Sequence, residues 1–244
     1  MGEQRLKVGA IVPSSNTTLE PDFQRALPAN ASLHTARIWL VDTTAEDLAQ
    51  MNEEAETAAR HLGSAAVDAI AYCCTSGSFL GGPGYDDALL AKLVSAAGGT
   101  PTVGTSPAMV EALKLSGIRR VSVVTPYTDA INGRLTVFLE GHGFEVLSMT
   151  GQQVVPNLEI GAQTPETIAR FAKANLSPNA DGLFLSCTNW RAMEVAEKLE
   201  QETGLPVVTS NQATIWATFL ALGIRESVAG YGKLLRSMSS PAKA

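Results

Sequence analysis

Short apolar runs alternate along the chain with longer stretches whose apolar residues recur at helical spacing. Lys7–Val12 and Ser32–Trp39 predict strands, Ala45–Leu62 a helix, and Ala66–Cys73 a short buried strand. A helix over Tyr85–Ala97 leads to a strand at Thr102–Gly104 and a helix at Pro107–Leu115. The pattern then restarts, with a strand at Arg120–Val124, a helix at Thr128–His142 and a strand at Phe144–Met149. After a loop come a helix at Pro165–Ala174, a strand at Gly182–Ser186, a helix at Arg191–Thr203, a strand at Val207–Thr209 and a helix at Asn211–Leu222. Strands alternating with helices of this length predict parallel sheets built from βαβ units. Ser237–Ala244 is small and polar and reads as a frayed tail.

The restart is an internal repeat. Pro13 and Pro126, Asp68 and Asp181, and Cys74 and Cys187 all lie 113 residues apart. Gly99-Thr-Pro101 and Gly204-Leu-Pro206 repeat the next strand at an offset of 105. A period this long is not that of a solenoid. It predicts an α/β fold of two pseudo-symmetric lobes, each a short parallel sheet flanked by helices, with the active site between them. The lobes span 1–117 and 118–244, and the last helix is free to pack across onto the first lobe.

Composition narrows the function. The 244 residues carry 24 acidic and 18 basic side chains, a net charge of -6, with no basic cluster, which argues against a nucleic-acid partner. No apolar run reaches the roughly 18 residues that span a bilayer, and the N-terminus reads as a first strand rather than a signal peptide, so no membrane association is expected. The odd count of three cysteines suits reduced thiols in the cytoplasm. His34, His61 and His142 lack metal spacing, so no metal is expected.

Ligands of open α/β sheets bind beyond the carboxyl ends of the strands. Cys74 and Cys187 each stand just past such an end, and lobes facing each other would set the two thiols across one cleft. That suits chemistry on opposite faces of one carbon, with a thiolate as nucleophile or base and a thiol as acid. Cys187-Thr188-Asn189 leads into a predicted helix, where backbone N–H groups would favour a thiolate. Cys73, one residue inside the strand, reads as core. The same rim carries Ser14, Ser15 and Asn16 after the first strand, and Thr75 and Ser76, which could form an anion nest after Cys74. Tyr127, Asn157 and Thr188 complete the candidate binding set. Asn and Tyr hydrogen-bond a carboxylate without adding a titrating charge. Gly81-Gly82-Pro83-Gly84 fits neither nucleotide fingerprint and reads as a turn, with a lid as its functional alternative.

Val12-Pro13-Ser14-Ser15-Asn16-Thr17-Thr18-Leu19-Glu20, Tyr72-Cys73-Cys74, Val124-Thr125-Pro126-Tyr127, Pro156-Asn157-Leu158-Glu159-Ile160 and Leu185-Ser186-Cys187 resemble motifs of the aspartate/glutamate racemase superfamily. Within it, the resemblance over residues 7 to 222 is to the maleate cis–trans isomerases. It implies chemistry without a cofactor, a small carboxylate substrate and a homodimer. On that template the Cys74 thiolate adds to an alkene carbon of maleate and Cys187 protonates the neighbouring carbon. Rotation and elimination then release fumarate. Asn16, Tyr127 and Asn157 hold the carboxylates, helped by the N–H groups after each cysteine. The chain departs from the isomerases after Cys74. There Thr75-Ser76-Gly77-Ser78-Phe79 resembles arylmalonate decarboxylases, as do Tyr127, Asp129 and Asn132 and the Gly230-Tyr231-Gly232 run. Those decarboxylases carry only the second cysteine. A two-cysteine racemase or epimerase, a decarboxylase acting through Cys187, an ectoine-utilisation relative and a non-catalytic carboxylate binder stay open on these residues.

Overall fold

The apolar run Leu6–Pro13 forms β1, and Val8 and Ala10–Val12 within it are all buried, as expected for an inner strand covered on both faces. The structure, a computed structural model, describes residues 5–239. After β1 come α1 (Leu19–Ala26), β2 (Ala31–Ile38), α2 (Ala45–Glu53), α3 (Ala55–Ser64), β3 (Ala69–Tyr72), α4 (Thr75–Phe79), α5 (Tyr85–Ala96), β4 (Thr102–Gly104) and α6 (Thr105–Leu115). The second half supplies β5 (Arg120–Thr125), α7 (Asp129–Gly141), β6 (Glu145–Gly151), α8 (Asn157–Gly161), α9 (Pro165–Ala174), β7 (Gly182–Leu185), α10 (Ala196–Thr203), β8 (Val207–Thr209), α11 (Ser210–Ala221) and α12 (Lys233–Arg236). Among the described residues no helix is long and apolar enough to cross a membrane.

Two four-stranded parallel sheets result, in the orders β2-β1-β3-β4 and β6-β5-β7-β8. The repeat extends to single atoms. The Lys7 N–H donates to the Asp68 carboxylate at 2.7 Å, and the Arg120 N–H donates to Asp181 at 2.9 Å. Each aspartate ties the start of its sheet's central strand to the strand that will carry a cysteine. The strand order reverses direction between β1 and β3, and again between β5 and β7. Those are the two topological switch points, where the ends of neighbouring strands splay and leave a crevice.

The lobes interlock through their last helices. α6 and α11 each follow the final strand of their sheet and pack on one another, and α11 also covers β3, β4 and α1. Ile215 and Phe219 of α11 are fully buried against Val8, Ala10, Val12 and Phe23. Together they contribute about 3–6 kcal/mol of apolar burial to the join, before entropy is counted. Cys73 lies in the same cluster, with its thiol donating to the Ala71 carbonyl at 3.3 Å, so the core reading of that cysteine matches its surroundings.

Three local expectations are corrected. The helix expected over Ala45–Leu62 is broken at Glu54, which ends α2 and starts α3 and whose carboxylate accepts the Trp39 N–H at 3.0 Å. Periodicity continues across the break because both helices face the same core. The helix expected over Arg191–Thr203 begins only at Met193, as a 3-10 turn running into α10. Trp190 is fully buried and its ring N–H donates to Gln163 at 2.9 Å, which holds residues 187–192 in a loop. Of the expected tail, Ser237–Ser239 form a 3-10 turn and 240–244 lie outside the described residues.

Candidate active site

Cys74 and Cys187, together with Asn16 and Tyr127, leave the strand ends at the two switch points and line one narrow cavity. Thr75, Ser76, Asn157 and Thr188 also line it, as do Pro13, Leu40, Thr43 and Asn189. Each wall therefore carries one thiol.

Cys74 is the N-cap of α4, and the Gly77 N–H donates to its sulfur at 3.3 Å. Ser76 Oγ stands 3.8 Å from the same sulfur. Cys187 follows β7 with φ of 155°, a backbone setting that L side chains seldom adopt. Its N–H donates to Ser210 Oγ at 3.0 Å, and Thr75 Oγ1 donates to that same oxygen at 2.9 Å. One hydroxyl at the start of α11 thus ties the two cysteine segments together. The expectation that Cys187 sits at a helix N-terminus is overturned, since no helix starts there. Burial pushes the Cys187 thiol up to about 12, opposed by the Tyr127 hydroxyl and the Asn189 and Trp190 N–H groups. Burial likewise pushes Cys74 up to about 11, against the Gly77 N–H and the Ser76 hydroxyl. Burial therefore favours neutral thiols at both positions over a ready thiolate. Burial, and then the neighbouring Cys187, hold the Tyr127 phenol well above its usual range, so it stays a neutral donor.

The polar rim is cross-linked between lobes. Asn16 Oδ1 accepts the Thr18 and Leu19 N–H groups at 3.0 Å, capping α1, a helix absent from the sequence expectations. Its Nδ2 donates to Thr188 Oγ1 at 3.1 Å, leaving the second Nδ2 hydrogen free for another acceptor. Thr188 Oγ1 donates in turn to the Cys73 carbonyl at 3.0 Å. Asn157 Nδ2 donates to Ser15 Oγ at 2.8 Å, and its carbonyl accepts from Asn189 Nδ2 at 2.7 Å. Ser14 and Ser15 stand behind the wall rather than in it. Both hydroxyls donate to the Leu40 carbonyl, at 3.2 and 2.6 Å, and so seat Leu40 over the cavity.

Two loops pair beside the cavity, each contributing to its lining through Thr43 and Asn157. Asp42 and Pro156 form an antiparallel bridge, and the Thr43 N–H and hydroxyl donate to the Val155 carbonyl at 2.8 and 2.7 Å. The Asn157 N–H donates to the Val41 carbonyl at 3.0 Å. Gly81–Gly84 lies elsewhere, with Pro83 against Gly141 at the end of α7, and does not line the cavity. It is a turn.

A sequence pattern for arylmalonate decarboxylase matches residues 8–235, nearly the whole chain and both cysteine walls. The chain belongs to the arylmalonate decarboxylase family. Within that family it is similar to the maleate isomerase of Geobacillus stearothermophilus, at 28% identity over 95% of this chain and 98% of the relative. Its fold superposes on a cysteine-to-alanine variant of the maleate isomerase Iso from Pseudomonas putida S16 with maleate, with a TM-score of 0.91 and 26% identity over 95% of this chain and 98% of that one. A mutant of Nocardia farcinica maleate cis-trans isomerase with a covalently bound succinylcysteine intermediate gives a TM-score of 0.89 at 28% identity, over 95% and 98% of the two chains. The protein is thus an enzyme of the maleate isomerase and arylmalonate decarboxylase family, one whose chemistry depends on cysteine.

Pro13, Leu40, Thr43 and Asn189 line the cavity without having been in the candidate set, and Asn189 is the one that ties other segments together. It accepts the Thr17 N–H at 2.9 Å while donating to the Asn157 carbonyl, so it joins three loops. Its only signal was its place two residues after Cys187. A buried carboxyl lies behind the site. Asp22 of α1 accepts from Asn211 Nδ2 at 2.7 Å, and that amide also donates to the Thr188 carbonyl at 3.1 Å. Burial raises the Asp22 carboxyl from 3.8 to about 6, despite Asn211 and Arg25. Folding therefore takes up a proton between about pH 4 and pH 6. The stabilising contribution of Asp22 is full below that window and is lost as pH rises through 6. Asp22→Asn keeps an acceptor for Asn211 and removes the charge. Urea unfolding should show the variant more stable at pH 7 by about 1–3 kcal/mol, with a flatter slope between about pH 4 and pH 6.

Proposed function

We propose that the protein is a cofactor-independent cis–trans isomerase of a small dicarboxylate, with maleate to fumarate as its reaction. The observation that carries this reading is the pair of thiols, one from each lobe, facing one cavity whose polar side chains are otherwise all uncharged. The closed cavity leaves room for little more than one water, so entry requires the paired loops at Asp42 and Pro156 to part.

Once maleate is bound, the Cys74 thiolate attacks one alkene carbon. A C–S bond forms, the π bond breaks, and its electron pair moves to the neighbouring carbon and into the attached carboxylate as an enediolate. The Asn16 and Asn157 amides and the Tyr127 hydroxyl hold that charge, which is the reason for neutral donors here. The Cys187 thiol delivers its proton to the carbon. The former double bond is now single and rotates. The Cys187 thiolate removes the proton again, the C–S bond breaks, fumarate leaves and the Cys74 thiolate is restored. The Cys74 proton passes to solvent water before attack, and the N–H of Gly77 supports the resulting charge. The succinylcysteine in the Nocardia farcinica relative supports a covalent step of this kind.

The second reading is decarboxylation of a malonate-type acid, with Cys187 protonating the carbanion left when carbon dioxide departs. The family match favours it. The two are separated by incubating purified protein with maleate and with phenylmalonate. Isomerisation yields fumarate and, on intact mass, a gain of one maleate at Cys74. Release of carbon dioxide from phenylmalonate with neither fumarate nor adduct selects the second reading.

A further inference from the structure

The mechanism asks for a thiolate at Cys74, yet besides the Ser76 hydroxyl at 3.8 Å its one backbone donor is a single N–H at the start of a helix of five residues. So short a helix sums to little macrodipole, and the aim of that one N–H decides its worth. Gly77 is held from outside the cavity. Asn52 of α2 donates from Nδ2 to the Gly77 carbonyl at 2.9 Å and to the Tyr85 hydroxyl at 3.0 Å, while its Oδ1 accepts from the Tyr72 hydroxyl. Both amide hydrogens and the amide oxygen are thus engaged, and four elements meet on one side chain.

The contact has no slack. A methyl group added at Gly77 would stand 2.7 Å from the Tyr72 hydroxyl and 2.9 Å from Met51 Cε of α2. The place of Gly77 is therefore set by α2, and α2 starts two residues after Thr43, which joins the loops beside the cavity. We propose that Asn52 is a positioning residue for Cys74, holding Gly77 so that its N–H stays aimed at the sulfur. The inference deepens the reading of Cys74 as nucleophile and rests on it. Asn52 does not line the cavity, so its influence passes through Gly77.

The test is the rate of Cys74 alkylation by iodoacetamide against pH, followed by peptide mass spectrometry, in the full-length wild type and in Asn52→Leu and Asn52→Asp. The aspartate keeps the size and the oxygen that meets Tyr72 but turns an acceptor toward the Gly77 carbonyl, and it covers the case in which the leucine variant does not fold. In both variants the profile should move upward by about one pH unit, with kcat on maleate down about tenfold and KM within about twofold. A merely structural Asn52 would lower Tm and leave the profile in place, and that result overturns the proposal. Should wild-type protein give neither fumarate nor adduct, the isomerase reading fails, while the alkylation profile still decides the role of Asn52.

Discussion

Cys74→Ser is expected to lower maleate turnover by at least about a thousandfold and to remove the covalent adduct, and Cys187→Ser to lower turnover as far while the adduct on Cys74 accumulates. The asymmetry follows from the two jobs. A serine hydroxyl at 74 has no neighbouring base among the described residues: no His lines the cavity there, and the Gly77 N–H is a donor. It cannot become the alkoxide that attack requires. At position 187 the missing group is the proton carrier. Attack by Cys74 still occurs, and slow protonation from water closes the adduct, but nothing removes the proton for elimination. Intact mass spectrometry after maleate exposure and fumarate by proton NMR read the two results. Equal loss of adduct in both variants would reverse or merge these roles. Activity of Cys74→Gly on phenylmalonate, with loss only in Cys187→Ser, would instead assign the decarboxylase chemistry.

Gly151→Ala is expected to cost about 2–3 kcal/mol of stability by urea unfolding and most of kcat, although residue 151 touches no sulfur. Gly151 ends β6 beside the turn that presents Tyr127. An added methyl would lie 2.2 Å from both the Tyr127 carbonyl oxygen and Asn132 Nδ2. The first is backbone and cannot swing aside. The second belongs to the clamp of that turn, where Thr125 Oγ1 donates to Asn132 Oδ1 at 2.7 Å and accepts the Tyr127 N–H at 3.0 Å. Relief of the clash must move the turn, and with it the phenol that lines the cavity alongside Cys187. If Gly151→Ala is as stable and active as wild type, Tyr127 is not held as described.

Much of this site was legible along the chain. The repeated Asp…Cys spacing marked both walls, because a duplicated βαβ unit must place equivalent residues at equivalent strand ends. The arylmalonate decarboxylase-like Tyr127…Asn132 spacing marked the clamp just described. Other features had no linear signal. α1 is capped by the Asn16 side chain rather than by Thr18, so the usual cap position was uninformative. The loop after Cys187 looks helical by pattern but is held open by Trp190, whose partner Gln163 is far away in sequence. Ser14 and Ser15 look like ligands in their motif, yet Leu40 from another strand end takes up their hydroxyls.

By itself, the sequence determined the two-sheet parallel architecture, the doubled cysteine register and the neutral polar rim. All three are periodic or local properties, set by which residues a strand or a strand end can bury. Tertiary structure alone decided the chemical state of the site. Both thiols are neutral because the opposing lobe and α11 remove water from around them. The loops at Asp42 and Pro156 meet only because the lobes face each other. Desolvation and contact between distant segments depend on what lies across the cleft, and no spacing within one strand or helix encodes that.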